Sequence, residues 1–251
     1  MFIFEMILLI GVGFIAGVIN TVSAGGSLIT LPALLFLGIP STEANGTNRV
    51  AIVVQSLTSF FTFVRKGQVK LKGNASILIA STLGAIFGAL SAITVSDDSF
   101  MLILAFTMVV TLCFIIWNPV KAINRPSTLT PLAYALGTAA FILIGFYSGF
   151  IQVGVGFYIM IVAILLYKKS FVEATFLKII VVGLSVSISL IIFAVNGQVL
   201  WEIGLILAIG NALGAWVGSK MVLLQRTGWI QFILIVTVIT LAGRLLYEAL
   251  A

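Results

Sequence analysis

Residues 20–27 read Asn-Thr-Val-Ser-Ala-Gly-Gly-Ser, and they separate two apolar runs at about residues 2–19 and 26–39. A second glycine-rich stretch, residues 152–156, reads Gln-Val-Gly-Val-Gly and follows the apolar run at about 132–151. Glycine destabilises the interior of a helix, so each stretch predicts a helix break in apolar surroundings. Non-helical backbone at membrane depth is tolerated only where it lines a cavity or is buried in protein. The two breaks therefore predict an internal site in a helical membrane protein.

The composition of the whole chain supports a membrane location. Of the 251 residues, 61% are hydrophobic and 8% are charged, whereas an ordinary soluble domain carries about 25% charged residues. A spanning helix takes about 20 apolar residues, and ten apolar runs can be counted, at about 2–19, 26–39, 44–64, 75–95, 100–117, 132–151, 155–167, 171–195, 199–219 and 229–247. We therefore predict an all-α, polytopic membrane protein with about ten membrane segments. The runs at 26–39 and 155–167 are shorter, which leaves open whether they cross the membrane or re-enter it.

Several kinds of chemistry are excluded by residues that the chain lacks. It has no histidine and one cysteine, Cys113, so we expect no internal disulfide, no zinc or haem site of the usual kind and no triad that needs imidazole. The Gly-x-x-x-x-Gly-Lys-Ser/Thr motif that binds ATP phosphates is also absent from the sequence. We therefore predict that the protein is not an enzyme and uses no cofactor or metal.

The basic residues indicate which side of the membrane each loop occupies. If every run crosses, ten of the thirteen lysines and arginines share one side, and these are Arg65, Lys66, Lys70, Lys72, Lys121, Arg125, Lys168, Lys169, Lys220 and Arg226. The positive-inside rule assigns that side to the cytoplasm. The sequence thus predicts a multi-pass protein of the cytoplasmic (inner) membrane with both termini outside. Topology also accounts for the net charge of +6, without a nucleic-acid partner.

The two halves of the chain resemble one another at a nearly constant offset in residue number. Three motifs recur at one common offset, and they are Glu43-Ala44 with Glu173-Ala174, Gly67-Gln68-Val69 with Gly197-Gln198-Val199, and Leu83-Gly84-Ala85 plus Gly88 with Leu213-Gly214-Ala215 plus Gly218. Before the breaks the offset is slightly larger, since Gly13-Phe14 with Gly17 recurs as Gly145-Phe146 with Gly149. Because each half holds five runs, an odd number, the second half would enter the membrane upside down.

Inverted repeats with paired broken helices are typical of secondary transporters, whose substrate site lies near the membrane midplane. We predict a single transmembrane transporter domain over 1–251. It would consist of one repeat at about 1–117, a linker at 118–131 and a second repeat at about 132–251.

The breaks offer groups that suit an anion. The amides of Gly25, Gly26 and Ser27 would form a helix N-terminus, whose unpaired N–H groups and positive dipole end favour negative charge. Other candidate binding residues are Asn20, Thr21 and Ser23 in the first break and Gln152, Gly154 and Gly156 in the second. We predict that the two helix ends converge on one anion. Alternatively, glycine and serine only permit close helix packing here.

Two cations lie inside apolar runs, Arg49 and Lys178, and Asn48 corresponds to Lys178 at the common offset between the halves. A charged side chain inside a membrane costs at least about 2.5 kcal/mol, so it usually faces the interior with a partner. We therefore add Asn48, Arg49 and Lys178 to the candidate anion site, with Gln55 as a weaker lining residue. The alternative is that both cations extend toward a membrane interface.

Two acidic residues are paired in the same way as the two cations. Glu43 and Glu173 are related by the common offset, and each begins an apolar run. An acid near a helix N-terminus stabilises the helix dipole, so capping competes with proton coupling as the role of both.

These motifs are similar to those of one known family. Gly13-Phe14-Ile15-Ala16-Gly17-Val18-Ile19-Asn20-Thr21 and Gly25-Gly26-Ser27-Leu28-Ile29-Thr30-Leu31-Pro32 resemble the TauE/SafE family of sulfite exporters. Leu37-Gly38-Ile39-Pro40, Ala44-Asn45-Gly46-Thr47-Asn48-Arg49 and the Gly67-Gln68-Val69 loop strengthen the resemblance. The family commonly has three glycines at the first break, and Ala24 occupies the first of these places here. The resemblance implies an inner-membrane transporter of anions such as sulfite, sulfoacetate or other organosulfur compounds.

The residues and the resemblance lead to the same functional hypothesis by different routes. We predict a secondary transporter that exports a small anion, either sulfite or an organosulfur anion such as sulfoacetate, by alternating access between two inverted repeats. A passive anion channel is the alternative. The predicted partners are the small anion and the lipid bilayer, with a homo-oligomer as a further possibility. The exact substrate, the coupling ion and the oligomeric state stay open.

Overall fold

The computed structural model describes residues 3–23, 25–67, 74–117 and 130–224, together with residues 236, 239 and 240. These residues are helical, as predicted, and their helices are α1 (Ile3–Ser23), α2 (Ser27–Phe36), α3 (Ser41–Arg65), α4 (Ala75–Ala92), α5 (Asp97–Trp117), α6 (Pro131–Phe150), α7 (Val155–Leu165), α8 (Phe171–Val195) and α9 (Trp201–Leu223). Several predictions concern residues outside the described part, namely Ala24, Gln68-Val69, Lys70, Lys72, Lys121, Arg125, Arg226, most of the linker and most of the apolar run at 229–247. The tenth segment and the linker therefore stay predictions.

Six of the described helices are long and apolar enough to cross a membrane, and these are α1, α4, α5, α6, α8 and α9. The protein is therefore a multi-pass helical membrane protein. α3 is long enough to cross a membrane, with 25 residues, but it is not apolar enough. Polar residues such as Glu43, Asn45 and Arg49 occupy its first half. The predicted apolar run at 44–64 is thus apolar mainly in its second half.

Both predicted helix breaks are present in the structure. α1 ends at Ser23 and α2 begins at Ser27, while α6 ends at Phe150 and α7 begins at Val155. α2 has 10 residues and α7 has 11, which corresponds to a length of about 15 Å each. The hydrocarbon core of a bilayer is about 30 Å thick. Each short helix therefore spans only about half of that thickness.

Glycines bring two pairs of helices into backbone contact, α1 with α9 and α4 with α6. In each pair, a methyl group on the glycine would overlap a carbonyl oxygen of the facing helix, which only glycine avoids. On α1 and α6 the glycine–carbonyl pairs are Gly13–Leu207, Gly17–Asn211, Gly145–Ser81 and Gly149–Ala85. On α9 and α4 they are Gly210–Ile10, Gly214–Phe14, Gly84–Ile142 and Gly88–Phe146.

The same contacts correct the predicted alignment of the two halves. Gly84 meets Ile142, and Gly210 meets Ile10, so Gly84 of α4 corresponds to Gly210 of α9. The common offset, which paired Gly84 with Gly214, is therefore wrong for these helices by one helical turn. The cause is the preceding loop, which is four residues longer between α3 and α4 than between α8 and α9. Glycines recur every four residues on α9, and so the sequence motif matched in the wrong register.

α3 and α8 position the interior of the protein. Both have 25 residues, and they pack against each other. α3 also contacts α2 and α9, and α8 contacts α4 and α7. The buried face of α3 is polar, since Asn45, Thr47, Asn48, Arg49 and Gln55 are all buried there. These two helices therefore place polar side chains beside the two helix breaks.

Candidate functional site

A small polar cavity lies where the two breaks meet α3 and α8. It is lined by Asn20, Thr21, Ser27, Gln55, Ser56, Gln152, Val155, Gly156, Lys178, Ile179 and Val182. Its volume is about 10 Å³, which is just enough for one water molecule. Both glycine-rich breaks thus contribute to one site, although they lie far apart in the sequence.

The structure brings together part of the predicted site. Six predicted residues line the cavity, and these are Asn20, Thr21, Ser27, Gln152, Gly156 and Lys178, joined by the weaker candidate Gln55. The other predicted residues are not among those that line it, and they are Ser23, Gly25, Gly26, Glu43, Asn48, Arg49, Gly154 and Glu173. Ser56 was missed, although its position next to Gln55 within an apolar run is a signal that could have found it.

Lys178 places a cation at the edge of this cavity. Its Nζ donates hydrogen bonds to the carbonyl oxygens of Asn20, at 2.8 Å, and Thr21, at 2.7 Å. These carbonyls belong to the last turn of α1, where unpaired oxygens and the negative end of the helix dipole stabilise a positive charge. The side chain is 4% exposed, so it does not extend toward solvent as the interface alternative requires.

Arg49 plays the matching role at the end of α6 but lies outside the cavity lining. Its guanidinium donates to the carbonyl oxygens of Ser148, at 3.1 Å, and Gly149, at 2.6 Å, and to Oδ1 of Asn45 at 3.3 Å. The guanidinium carbon also lies 4.5 Å from the centre of the Phe193 ring, within the range of a cation–π contact. Arg49 is fully buried, and its hydrogen bonds cap the C-terminal end of α6.

Gln152 connects the second break to the cavity in a strained conformation. Its φ is +65°, a left-handed value that is uncommon for a residue other than glycine. The side chain is buried, and within the described part of the chain its Oε1 has no hydrogen-bond partner. Backbone strain and an unpaired buried polar atom both cost free energy and cluster at functional sites. Gln152 therefore marks this cavity as a candidate functional site.

The glycines of the breaks shape the backbone around the cavity. A methyl group at Gly26 would overlap the carbonyl oxygen of Ala16 and the side chain of Asn20. Gly154 has a φ of +69°, and a methyl group there would approach Thr111 at 2.6 Å. Close packing thus explains both glycines. Ser27, the first residue of α2, lines the cavity beside them.

Two helix N-termini point their positive ends toward this site. Ser27 is the first residue of α2, and Val155 and Gly156 are the first residues of α7; all three line the cavity. The first hydrogen bond of α2 runs from Leu28 N to Gly25 O, at 3.1 Å. At the start of α7, Val155 N and Phe157 N likewise donate to the carbonyl oxygens of Gln152 and Gly154. The N-terminal end of a helix nevertheless carries the positive end of its dipole. The two N-termini therefore add partial positive charge to that of Lys178.

A hydrogen-bonded pair ties the first break to α3. Nδ2 of Asn20 donates to Oε1 of Gln55 at 3.1 Å, and the hydroxyls of Thr21 and Ser59 lie 3.4 Å apart. Because Lys178 binds the backbone of the same two α1 residues, the end of α1 is held from both sides. A movement of α3 relative to α8 would therefore change the shape of the cavity.

The paired acids lie at helix starts and not among the lining residues. Glu173 forms a capping box with Ser170 at the start of α8. Glu43 lies in the first turn of α3, next to Ser41 and Thr42, whose side chains and Thr42 N donate to Asp97. The described acids are thus grouped at helix ends, away from the cavity lining.

Broken helices that meet at a buried polar site, in a protein with several membrane-spanning helices, are typical of membrane transporters. The family model described as "Sulfite exporter TauE/SafE" matches residues 9–245, and the chain belongs to this family. No solved structure matches the chain.

Curated relatives agree with the family assignment. The chain is 33% identical to "Probable membrane transporter protein ORF9" of Sinorhizobium sp, over 94% of this chain and 90% of that protein. It is 29% identical to a "Probable membrane transporter protein" of Haemophilus influenzae, over 94% and 92%. It is 27% identical to "Probable membrane transporter protein YfcA" of Escherichia coli strain K12, over 96% and 91%. These proteins are transporters by name, and none is named as an enzyme.

Proposed function

We propose that the protein is a secondary transporter that exports a small anion across the cytoplasmic membrane, either sulfite or an organosulfur anion such as sulfoacetate. The observation that carries this proposal is the position of Lys178 in a buried cavity next to two helix N-termini. The family name supplies sulfite as the first candidate.

The charge balance of the cavity supports an anion as the substrate. Lys178 is the charged residue among those that line it, and the others are neutral. A buried cation without a counter-ion is costly in a low-dielectric interior, whereas an oxyanion would neutralise it. The hydroxyls of Ser27 and Ser56 and the amide of Gln152 line the same cavity and are suitable hydrogen-bond partners for an oxyanion.

Alternating access is the proposed mode of transport. The glycine contacts of α1 with α9 match those of α6 with α4 in the same order along each helix, which supports two repeats of inverted orientation. In such transporters one unit rocks against the other around a fixed site. A cavity of about 10 Å³ is smaller than a sulfite ion, so the helices around it have to separate before the anion enters.

Counterflow in liposomes tests this proposal. Purified protein is reconstituted into liposomes loaded with unlabelled sulfite, and radiolabelled sulfite or sulfoacetate is added outside. A carrier exchanges the label against the internal anion and saturates with concentration. A passive channel shows neither counterflow nor saturation, and that result would favour the alternative. If neither anion is exchanged or conducted, the proposed substrate class is wrong.

The inverted arrangement makes a prediction about labelling from outside. Lys66 and Asn196 are exposed residues next to Gly67 and Gly197, at the ends of α3 and α8. In a background with Cys113→Ser, we expect Asn196→Cys to react with an impermeant thiol reagent on intact cells. Lys66→Cys should react only after the membrane is permeabilised, because its basic loop lies in the cytoplasm. Equal labelling of both positions on intact cells would contradict the inversion.

A further inference from the structure

The two buried cations occupy corresponding places at the two helix breaks. Lys178 binds the carbonyls that end α1, and Arg49 binds those that end α6. In transporters with broken helices, carbonyls at such helix ends commonly coordinate the Na⁺ or H⁺ that drives transport. Here the positively charged side chains of Lys178 and Arg49 already bind the carbonyls at both helix ends. A free Na⁺ ion would have to displace one of them.

The two cations differ in their ability to change charge beside a substrate. Arginine stays protonated in proteins, whereas lysine can lose its proton when it is buried. Arg49 is enclosed by carbonyls, Asn45 and Phe193, away from the cavity lining. Lys178 lines the cavity. Lys178 is therefore the cation whose protonation can respond to an anion.

The hydrogen bonds of Lys178 allow one proton to leave without breaking the helix end. An ammonium has three N–H donors, and the carbonyls of Asn20 and Thr21 use two of them. The third is available to an anion in the cavity. After that proton has passed to water, the neutral amine still has two N–H groups for the two carbonyls.

No other ionisable group competes for this role among the residues that the structure places around Lys178. Its neighbours in the cavity are neutral on each element, namely Asn20 and Thr21 of α1, Ser27 of α2, Gln55 and Ser56 of α3, and Gln152, Val155 and Gly156 around the second break. The ionisable residues of the helices packed against α8 lie outside the cavity lining, and Glu173 of α8 itself also lies outside it. Those of the neighbouring helices are Glu5, Glu43, Arg49, Arg65, Tyr134, Tyr147 and Tyr158.

We infer that Lys178 carries the coupling proton, so that one proton binds with the anion, crosses with it and is released to water when the anion leaves. Export then follows an outward concentration gradient of the anion, and a proton gradient that is acid outside drives the same cycle inward. This inference rests on the proposed anion transport and adds the coupling ion to it. The ammonium and the anion stabilise each other in the cavity, so each raises the affinity for the other. Na⁺ has no part in the cycle.

Ion gradients across liposomes test the inference with the unmodified protein. Sulfoacetate is the probe, because its acidic groups both stay ionised at neutral pH and its own charge does not follow the gradient. With the membrane potential held at zero, a gradient of one pH unit, acid outside, should drive about tenfold accumulation for one proton per anion. An inward Na⁺ gradient at equal pH should drive none. Accumulation that follows Na⁺ and ignores pH would overturn the inference.

The variant Lys178→Arg separates coupling from binding. Arginine keeps the positive charge but does not release its proton, so we expect measurable counterflow without accumulation driven by pH. Lys220→Arg is the matched control, because Lys220 lies on α9 over the ring of Trp216 and outside the cavity lining, and it should behave as the unmodified protein. Tenfold accumulation that persists in Lys178→Arg would assign the proton to another group. If the unmodified protein shows no counterflow, the proposed function itself fails.

Discussion

Replacing Lys178 by methionine is expected to lower the rate of anion counterflow by about 100-fold. Methionine fills similar space but removes the charge that the cavity offers to the anion. A hydrogen bond to a charged group contributes about 1.5–3 kcal/mol, and about 2.7 kcal/mol corresponds to 100-fold. The measurement is the initial rate of label exchange in liposomes, at equal amounts of reconstituted protein.

The control for this variant is Lys220→Met, which removes a lysine of α9 that is exposed and outside the cavity lining. It should exchange label at the unmodified rate. If Lys178→Met also exchanges at that rate, the ammonium takes no part in binding the anion, and the cavity is not the substrate site.

Replacing Arg49 by methionine is expected to affect stability first. The change leaves the carbonyls of Ser148 and Gly149 without their donor in a fully buried place. A buried acceptor that is left without its donor typically costs about 1–3 kcal/mol. The measurement is the half-life of the detergent-purified protein during heating, since membrane proteins often unfold irreversibly and their stability is then a rate.

Arg65→Met is the matched control, because Arg65 is exposed at the end of α3, and its half-life should equal that of the unmodified protein. One combination of results for Arg49→Met would show that Arg49 has a role in binding and not in stability. If the half-life is unchanged and counterflow is lost, Arg49 binds the anion, as the sequence predicted.

The breaks could be predicted from the sequence because glycine and polar residues stand out in apolar surroundings. The two stretches at 20–27 and 152–156 were found in this way, and the cavity lies between them. Lys178 was found because a cation inside an apolar run needs a partner. These signals depend on residue type alone, and so they are visible without the structure.

The different environments of Arg49 and Lys178 could not be predicted from the sequence. At the offset that relates Glu43 to Glu173, Lys178 corresponds to Asn48 and Arg49 to Ile179. Lys178 and Ile179 both line the cavity, whereas Asn48 and Arg49 at the corresponding positions of α3 do not. The two helices therefore present these positions to different surroundings. The facing helices set those surroundings, and a single sequence does not contain their positions.

The alignment of α4 with α9 between the two halves depends on the length of the preceding loop, and the glycine motifs do not reveal that length. Gly210, Gly214 and Gly218 repeat every four residues, so a shift of one turn still aligns glycine with glycine. Only the atoms that each glycine meets distinguish the two registers.

The crosswise pairing of helices has a consequence for the order in which the protein is built. α1 is made before α9, the helix that its glycines fit, and α9 is the last helix that the structure describes. A newly inserted α1 therefore stays in the lipid with its glycine face uncovered while most of the remaining chain is synthesised. The first half cannot complete its own packing in the membrane, because half of each glycine-lined interface arrives only with the second half.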